Sequence, residues 1–367
     1  MNSSDKQDVW NEKVTLEVKH ISNILKLTGF ELDIEQPHIS GERYLMTRDK
    51  LVLVGTRIED NLKVIIKVSD NKTGREEIRQ EKKVRDALVS FTFSQNSVIF
   101  PTEIYFGQEE NFLIWITKYI NQEKVFASYS IEKQFFMILK VFEDQESFHA
   151  TTFEHLQNIR TILPILNGRN YIEKIEGFKK TIFDLENYAE LKNSISEALK
   201  LLQNHKRLID MYCNYLTHTD LAPANFRIQK KEIYTIDLSS ILFGNKYDGW
   251  ARFLNWTIIN SPILEKTIIE YVKTNRDQEE YLVLRLMRIY KATFLIDYYI
   301  KNLSKTSGNL HLLTKKRIEL WTLILKSLLN DSPMPPQIVH QYMSDRDKLR
   351  SPEEKERQKE FNLLTVT

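Results

Sequence analysis

Leu216-Thr217-His218-Thr219-Asp220-Leu221-Ala222-Pro223-Ala224-Asn225-Phe226-Arg227-Ile228, followed by Ile233-Tyr234-Thr235-Ile236-Asp237-Leu238, is the stretch that decides how this chain folds. It is an H-x-D-x-x-x-x-N loop that runs into a short apolar strand with a second aspartate at its end. The spacing gathers two carboxylates and an amide at one place. One carboxylate can accept a hydroxyl proton, while the asparagine and the other carboxylate hold a hard cation such as Mg²⁺ against nucleotide phosphates. That division of roles belongs to phosphoryl transfer. Asp and Asn also favour turns, so the loop gains its meaning from the strand that follows and from matching elements upstream.

The segment resembles the kinase-like small-molecule phosphotransferases, a family that includes aminoglycoside phosphotransferases and choline kinases. The resemblance implies an α+β, bilobal protein-kinase-like fold: a small N-terminal lobe built on an antiparallel sheet, and a large, mainly helical C-terminal lobe with a helical insertion. It also implies ATP or GTP as phosphoryl donor, Asp220 as catalytic base, and Asn225 with Asp237 as Mg²⁺ ligands. Residues 1–120 then form the nucleotide-binding lobe with a leading helix, 121–343 the helical lobe with the catalytic loop and acceptor site, and 344–367 a charged tail.

Upstream, Asn11 to Thr28 carries Val14, Val18, Ile21, Ile24 and Leu25 at helical spacing, with Gly29 as the stop. From Glu42 the pattern changes to strand-like runs, Arg43 to Met46, Leu51 to Ile58 and Leu62 to Val68, which predict a small antiparallel meander. Lys67, near the end of the third run, sits where kinases carry the lysine that pairs with phosphate. Alternation puts Lys63, Ile65 and Lys67 on one face, so a plain solvent-facing lysine is the competing reading. Its anchoring partner would come from the helix Arg75 to Leu88: Glu81 matches best, Glu77 one turn earlier is the runner-up, and helix register decides.

The phosphate-covering turn departs from the family pattern. Kinases use glycines there so that backbone N–H groups approach the phosphates, whereas the turn before Leu51 reads Thr47-Arg48-Asp49-Lys50. Strand runs Glu103 to Phe106 and Asn111 to Ile120 lead into Lys118-Tyr119-Ile120-Asn121. By resemblance this connector is the hinge, with Tyr119 and Ile120 at the positions that bond the nucleotide base through their backbone.

Helices dominate from Ile131 onward, and this long helical insertion ahead of the catalytic loop is a mark of the small-molecule phosphotransferases. His149 and His155 miss the one-face spacing of a helix-borne metal pair. After Asp237-Leu238-Ser239 the chain has neither the glycine of D-F-G nor room for a protein-substrate platform before Asp248. By resemblance Asp248 is the helix-start residue that braces the catalytic loop through backbone N–H groups. Ala222 stands where protein kinases carry a lysine, so one cation is missing from the transferring phosphoryl. Farther on, Trp250, Phe253, Trp256, Tyr290, Phe294, Tyr298, Tyr299 and Trp321, with Glu265, Glu270, Glu279, Glu280 and Asp297, suggest an amine-bearing acceptor or else ordinary core and surface. The tail Ser344 to Lys359 is nearly all charged and predicts a flexible or solitary helix.

Composition narrows the classes. The 367 residues carry 52 basic and 50 acidic side chains for a net charge of +2, which predicts no bulk attraction to nucleic acid or to an anionic membrane. The hydrophobic share of 42% and the charged share of 28% are those of a globular protein. One cysteine, Cys213, excludes an intramolecular disulfide and suits a reducing cytoplasm. No apolar run reaches the ~20 residues of a membrane span, and the polar start lacks a signal-peptide core. The expected protein is a cytoplasmic kinase acting on a small-molecule hydroxyl acceptor, and the alternative is a pseudokinase that binds nucleotide without turnover.

Overall fold

The computed structural model describes residues 3–39, 49–90, 99–150, 153–183 and 189–358. Helix α1 (Ser3–Leu27) buries Val14, Ile21, Ile24 and Leu25, the stripe that a 3.6-residue period sets on one face. Gly29 ends it at φ +87°, in the left-handed region where a residue without Cβ is at ease.

The stripe docks on a five-stranded antiparallel sheet of β1 (Phe30–Leu32), β2 (Leu51–Arg57), β3 (Leu62–Ser69), β4 (Glu103–Glu109) and β5 (Phe112–Lys118), in the spatial order β1-β2-β3-β5-β4. Leu53, Val64, Ile66, Val68, Ile114 and Ile116 alternate onto the α1 side and complete that core. Four strands lie close to their expected bounds. The expected strand Arg43 to Met46 lies outside the described residues. On the side away from β3, β2 pairs with β1, which sets Leu32 opposite Gly55 and is too short to show a period. The expected phosphate-covering turn, Thr47 to Lys50, lies mostly outside the described residues, which resume at Asp49.

Helix α2 (Lys72–Ser90) crosses between the lobes. Its Ile78 packs on Leu113 and Trp115 of β5, whereas Val84 and Leu88 join Phe148, Leu216, Leu238, Ile241 and Phe243 of the second lobe. That lobe contains α3 (Ile131–Glu146), α4 (Phe153–Arg160), α5 (Gly168–Phe183), α6 (Ala189–Asn204) and α7 (Lys206–Met211). Two strand pairs follow, β6 (Tyr215–His218) with β9 (Ile241–Gly244), and β7 (Phe226–Gln229) with β8 (Glu232–Thr235). Next come α8 (Tyr247–Asn260), α9 (Pro262–Asn275), α10 (Gln278–Leu303), α11 (Gly308–Leu329), α12 (Pro336–Leu349) and α13 (Pro352–Gln358).

Helix α10 buries Val283, Leu284, Leu286, Met287, Ile289, Ala292 and Ile296 together with Arg288, Lys291 and Asp297, and it forms the axis of this lobe. Trp250 stacks on Phe142 with ring centroids 3.9 Å apart. The charged segment after Ser344 does not stand alone. As far as residue 358 it forms the end of α12 and α13, with Arg346 and Glu354 buried, and Ile338 and Tyr342 seat α12 on the core.

Candidate active site

The loop after β6 and the segment after β8 are knitted together by backbone bonds. Thr219 N–H and Oγ1–H both donate to Ser240 O, at 2.8 and 3.0 Å, and Ile236 N–H donates to Asn225 O at 3.0 Å. The buried ring of His218 lies 3.0 Å through Nε2 from Ile236 O. That contact gives the first residue of the motif a structural task, which is to hold the second aspartate beside the first.

Asp220 and Asn225 face each other across the loop. Asn225 Nδ2 donates to Asp220 O at 2.7 Å and to Asp220 Oδ2 at 3.0 Å. These bonds use the amide nitrogen and leave Asn225 Oδ1 as the acceptor of the side chain. Asp237 adopts φ 58°, ψ 60°, a left-handed conformation that short polar side chains tolerate, and its Oδ1 accepts Ser239 Oγ–H at 2.7 Å. Burial pushes the Asp237 carboxyl up, but Lys67 and Lys50 more than offset this and hold it below the ordinary carboxylate range. Mg²⁺ is commonly bound by one or two protein oxygens with phosphates and water completing the shell. Asn225 Oδ1 and the Asp237 carboxylate are a donor set of that kind. Among the described residues there is no group of three or more His, Cys, Asp and Glu that could hold a metal by itself.

Lys67 points toward α2, where it forms an ion pair with Glu81 Oε1. Glu81 is buried and also accepts Leu238 N–H at 3.0 Å, so one carboxylate ties the β3 lysine to the residue that follows Asp237. Glu77 is engaged by a different cation, Lys50, at 3.5 Å. The register of α2 thus separates the two candidates.

No family model and no curated protein matches this sequence. Solved structures do. The GDP complex of wild-type aminoglycoside 2'-phosphotransferase-IIIa superposes with a TM-score of 0.58 at 12% identity, over 83% of this chain and 97% of that one. Aminoglycoside phosphotransferase APH(4)-Ia gives 0.57 at 12% identity, over 84% and 98%. The ADP-bound APH(2'')-Ib gives 0.51 at 14% identity, over 77% and 91%. The chain has the fold of the aminoglycoside phosphotransferases. At such identities the likeness is one of fold, and chemistry has to be argued from the side chains.

Within this aminoglycoside-phosphotransferase fold the segment after β5 connects the lobes. Tyr119 N–H donates to Lys63 O at 3.0 Å, which carries the β3–β5 ladder one residue beyond Lys118. Asp248 does not brace the loop through backbone N–H groups. Buried at the start of α8, its carboxylate faces α10 and takes a cation, Lys291 Nζ at 2.5 Å, and the same Nζ donates to Thr219 O at 2.8 Å. The brace therefore runs through a lysine, because a buried carboxylate needs a counter-charge more than it needs two amides. His149 stacks on Tyr215 at 3.9 Å, and the His155 side chain lies outside the described residues.

One site residue escaped the sequence reading. Arg252, one helical turn beyond Asp248 on α8, donates from Nε to Asp220 Oδ1 at 2.7 Å. Burial raises the Asp220 carboxyl, and this guanidinium reverses the effect and holds it below the usual range. The signal was weak, since an arginine one turn after an acidic helix start is common on any helix. Ala222 is buried and brings no cation, so the positive charge nearest Asp220 reaches it from α8 and not from its own loop.

Proposed function

We propose that this protein is a Mg²⁺-dependent small-molecule kinase that transfers the γ-phosphoryl of ATP or GTP to a hydroxyl of its acceptor. The observation that carries this reading is the joining of Asp220, Asn225 and Asp237 by the loop's own bonds, with the Lys67–Glu81 pair anchored on Leu238 beside them. The acceptor oxygen attacks the γ-phosphorus as the bond to the bridging oxygen breaks, and the nucleoside diphosphate leaves with that electron pair. The hydroxyl proton passes to Asp220. Asn225 Oδ1 and the Asp237 carboxylate would hold Mg²⁺, and the metal would supply charge neutralisation on the phosphates. Lys67, oriented by Glu81, takes a share of the same charge, so catalysis is positioning and electrostatics.

Asp220 has both carboxylate oxygens occupied, one by Asn225 and one by Arg252, so its direction is set before substrate arrives. Arg252→Ala is expected to lower kcat by about 10- to 100-fold, the scale of one hydrogen bond to a charged group at about 1.5–3 kcal/mol. Nucleotide affinity should hold, because Arg252 faces Asp220 and not the Lys67 side. Steady-state kinetics with a calorimetric nucleotide Kd checks both. A fall in affinity with kcat intact would remove the positioning role.

The acceptor is a small alcohol between the catalytic loop and α8 to α10. The carboxylates behind the expectation of an amine-bearing compound are largely engaged inside the fold: Glu265 with Arg288, Glu280 with Lys246, and Asp297 with Lys301. Trp250, Phe253 and Tyr290 belong to the core. Amino sugars are nonetheless the first acceptors to screen, since neighbours of this fold were solved with kanamycin and hygromycin B. No helix among the described residues is long and apolar enough to cross a membrane. The single cysteine, Cys213, is buried and in no disulfide, a state that suits a reducing cytoplasm.

Thermal unfolding with ATP or GTP and Mg²⁺ tests the reading at its base. A nucleotide at 100 times its Kd adds about 2.7 kcal/mol to apparent stability. No shift with either nucleotide would overturn the kinase proposal. A shift without product from any amino sugar, choline, ethanolamine or neutral sugar would favour the pseudokinase alternative.

A further inference from the structure

We infer that Lys50 is a second phosphate-binding cation, which takes over part of the task that backbone N–H groups of a glycine-rich loop perform elsewhere. The inference rests on the kinase reading above and concerns how the triphosphate is held. Between Asp33 and Lys50 the chain has one glycine, Gly41, so a cradle of closely approaching amides is not written into it.

The glycine that matters lies underneath. Gly74, in the first turn of α2, faces the end of this connection so closely that a Cβ there would sit 1.6 Å from Asp49 O and 2.4 Å from Ser69 Oγ. Ser69 Oγ–H in turn donates to Asp49 O. The backbone at Asp49 is thereby clamped to both β3 and α2, and Lys50 enters β2 from a fixed point, with Leu51 opposite Val68.

From that point Lys50 reaches the place where Lys67 also ends. Lys67 pairs with Glu81 Oε1, and Lys50 Nζ stands 3.5 Å from Glu81 Oε2 and 3.5 Å from Glu77 Oε2. One buried carboxylate is shared by two ammonium groups, and Asp237 is close enough to act electrostatically on both. The two lysine contacts differ in kind. Lys67 is a direct ion pair, whereas Glu81 Oε2 has no hydrogen-bond partner among the described residues and Lys50 stays beyond close contact with it. A lysine whose only task was to satisfy Glu81 would approach to about 2.7–2.9 Å. Lys50 stands 3.5 Å from each of two carboxylates without a close bond to either, so its ammonium can turn to an anion entering between the lobes. A triphosphate is the ligand with enough charge to engage two lysines and a metal together, and lysine meets it as a mobile point charge.

Calorimetry on wild type and Lys50→Met, with ATP and GTP in the presence of Mg²⁺, tests this. The corresponding nucleosides, followed by ligand-observed NMR, report the base site alone. The expected result is a loss of about tenfold or more in triphosphate affinity, the scale of one charge-assisted hydrogen bond, with nucleoside affinity unchanged and Lys50→Arg retaining most of the triphosphate affinity. Should the methionine variant fail to fold, Lys50→Gln keeps a polar side chain beside Glu81 and gives the same readout. Triphosphate affinity equal to wild type, or an equal loss for nucleoside and triphosphate, would overturn the assignment while leaving the kinase reading intact. Failure of the wild type to bind any nucleotide would overturn both.

Discussion

Replacing Asp220 with asparagine is expected to lower turnover by at least about 10²-fold, the usual scale for losing a general base, with nucleotide affinity near that of wild type. The substitution keeps the shape of the side chain and removes its charge and one acceptor oxygen. In the native loop Oδ2 accepts from Asn225 Nδ2 at 3.0 Å and Oδ1 from Arg252 Nε at 2.7 Å. An amide can satisfy one of these donors, and its own NH₂ must then face the other. The acceptor hydroxyl loses its proton acceptor, and Arg252 loses its counter-ion. The Lys67 side of the nucleotide site is insulated, because Lys67, Glu81 and Leu238 form their contacts without Asp220, and Asn225 Nδ2 keeps its bond to Asp220 O. Single-turnover product formation beside a calorimetric Kd separates the two effects. Undiminished product from the variant would remove Asp220 from its role.

Asp237→Ala is expected to abolish the Mg²⁺ dependence of nucleotide binding, and Asn225→Ala to weaken it, because a carboxylate neutralises a divalent cation where an amide only coordinates it. The two positions also differ electrostatically. Asp237 lies in the field of Lys67 and Lys50, which hold its carboxyl low and ionised. Its removal leaves those lysines free for phosphate, so metal-free binding should persist or tighten while the gain from Mg²⁺ disappears. Alanine is poorly suited to the left-handed conformation at this position, at a cost of about 1–2 kcal/mol. Asp237→Asn, which tolerates that conformation, is the companion variant. Titrations with and without metal decide, and equal affinity of wild type and Asp237→Ala in the presence of Mg²⁺ would end the metal assignment.

Much of the site is local in the chain and for that reason legible there. His218, Asp220, Asn225 and Asp237 fall within one strand-loop-strand unit whose bonds, such as Ile236 N–H to Asn225 O at 3.0 Å, follow from its own spacing. Periodicity likewise determined the α1 stripe, strands β2 to β5 and the helical second lobe, since alternation and the 3.6-residue repeat are properties of the backbone itself. Strand β1 escaped because three residues cannot display a period.

The long-range pairings were decided only by tertiary structure. Glu77 and Glu81 lie one turn apart on the same side of α2, and the sequence ranks Glu81 first without fixing the helix register. The docking of that helix on Trp115 and Leu238 pairs Glu81 with Lys67 and sets Lys50 between Glu77 and Glu81. Arg252 meets Asp220, and Lys291 joins Asp248 to Thr219, across separations of 32, 43 and 72 residues. A charge chooses its partner by where packed helices bring it and by the cost of burying it alone, and neither is written in the order of neighbouring residues.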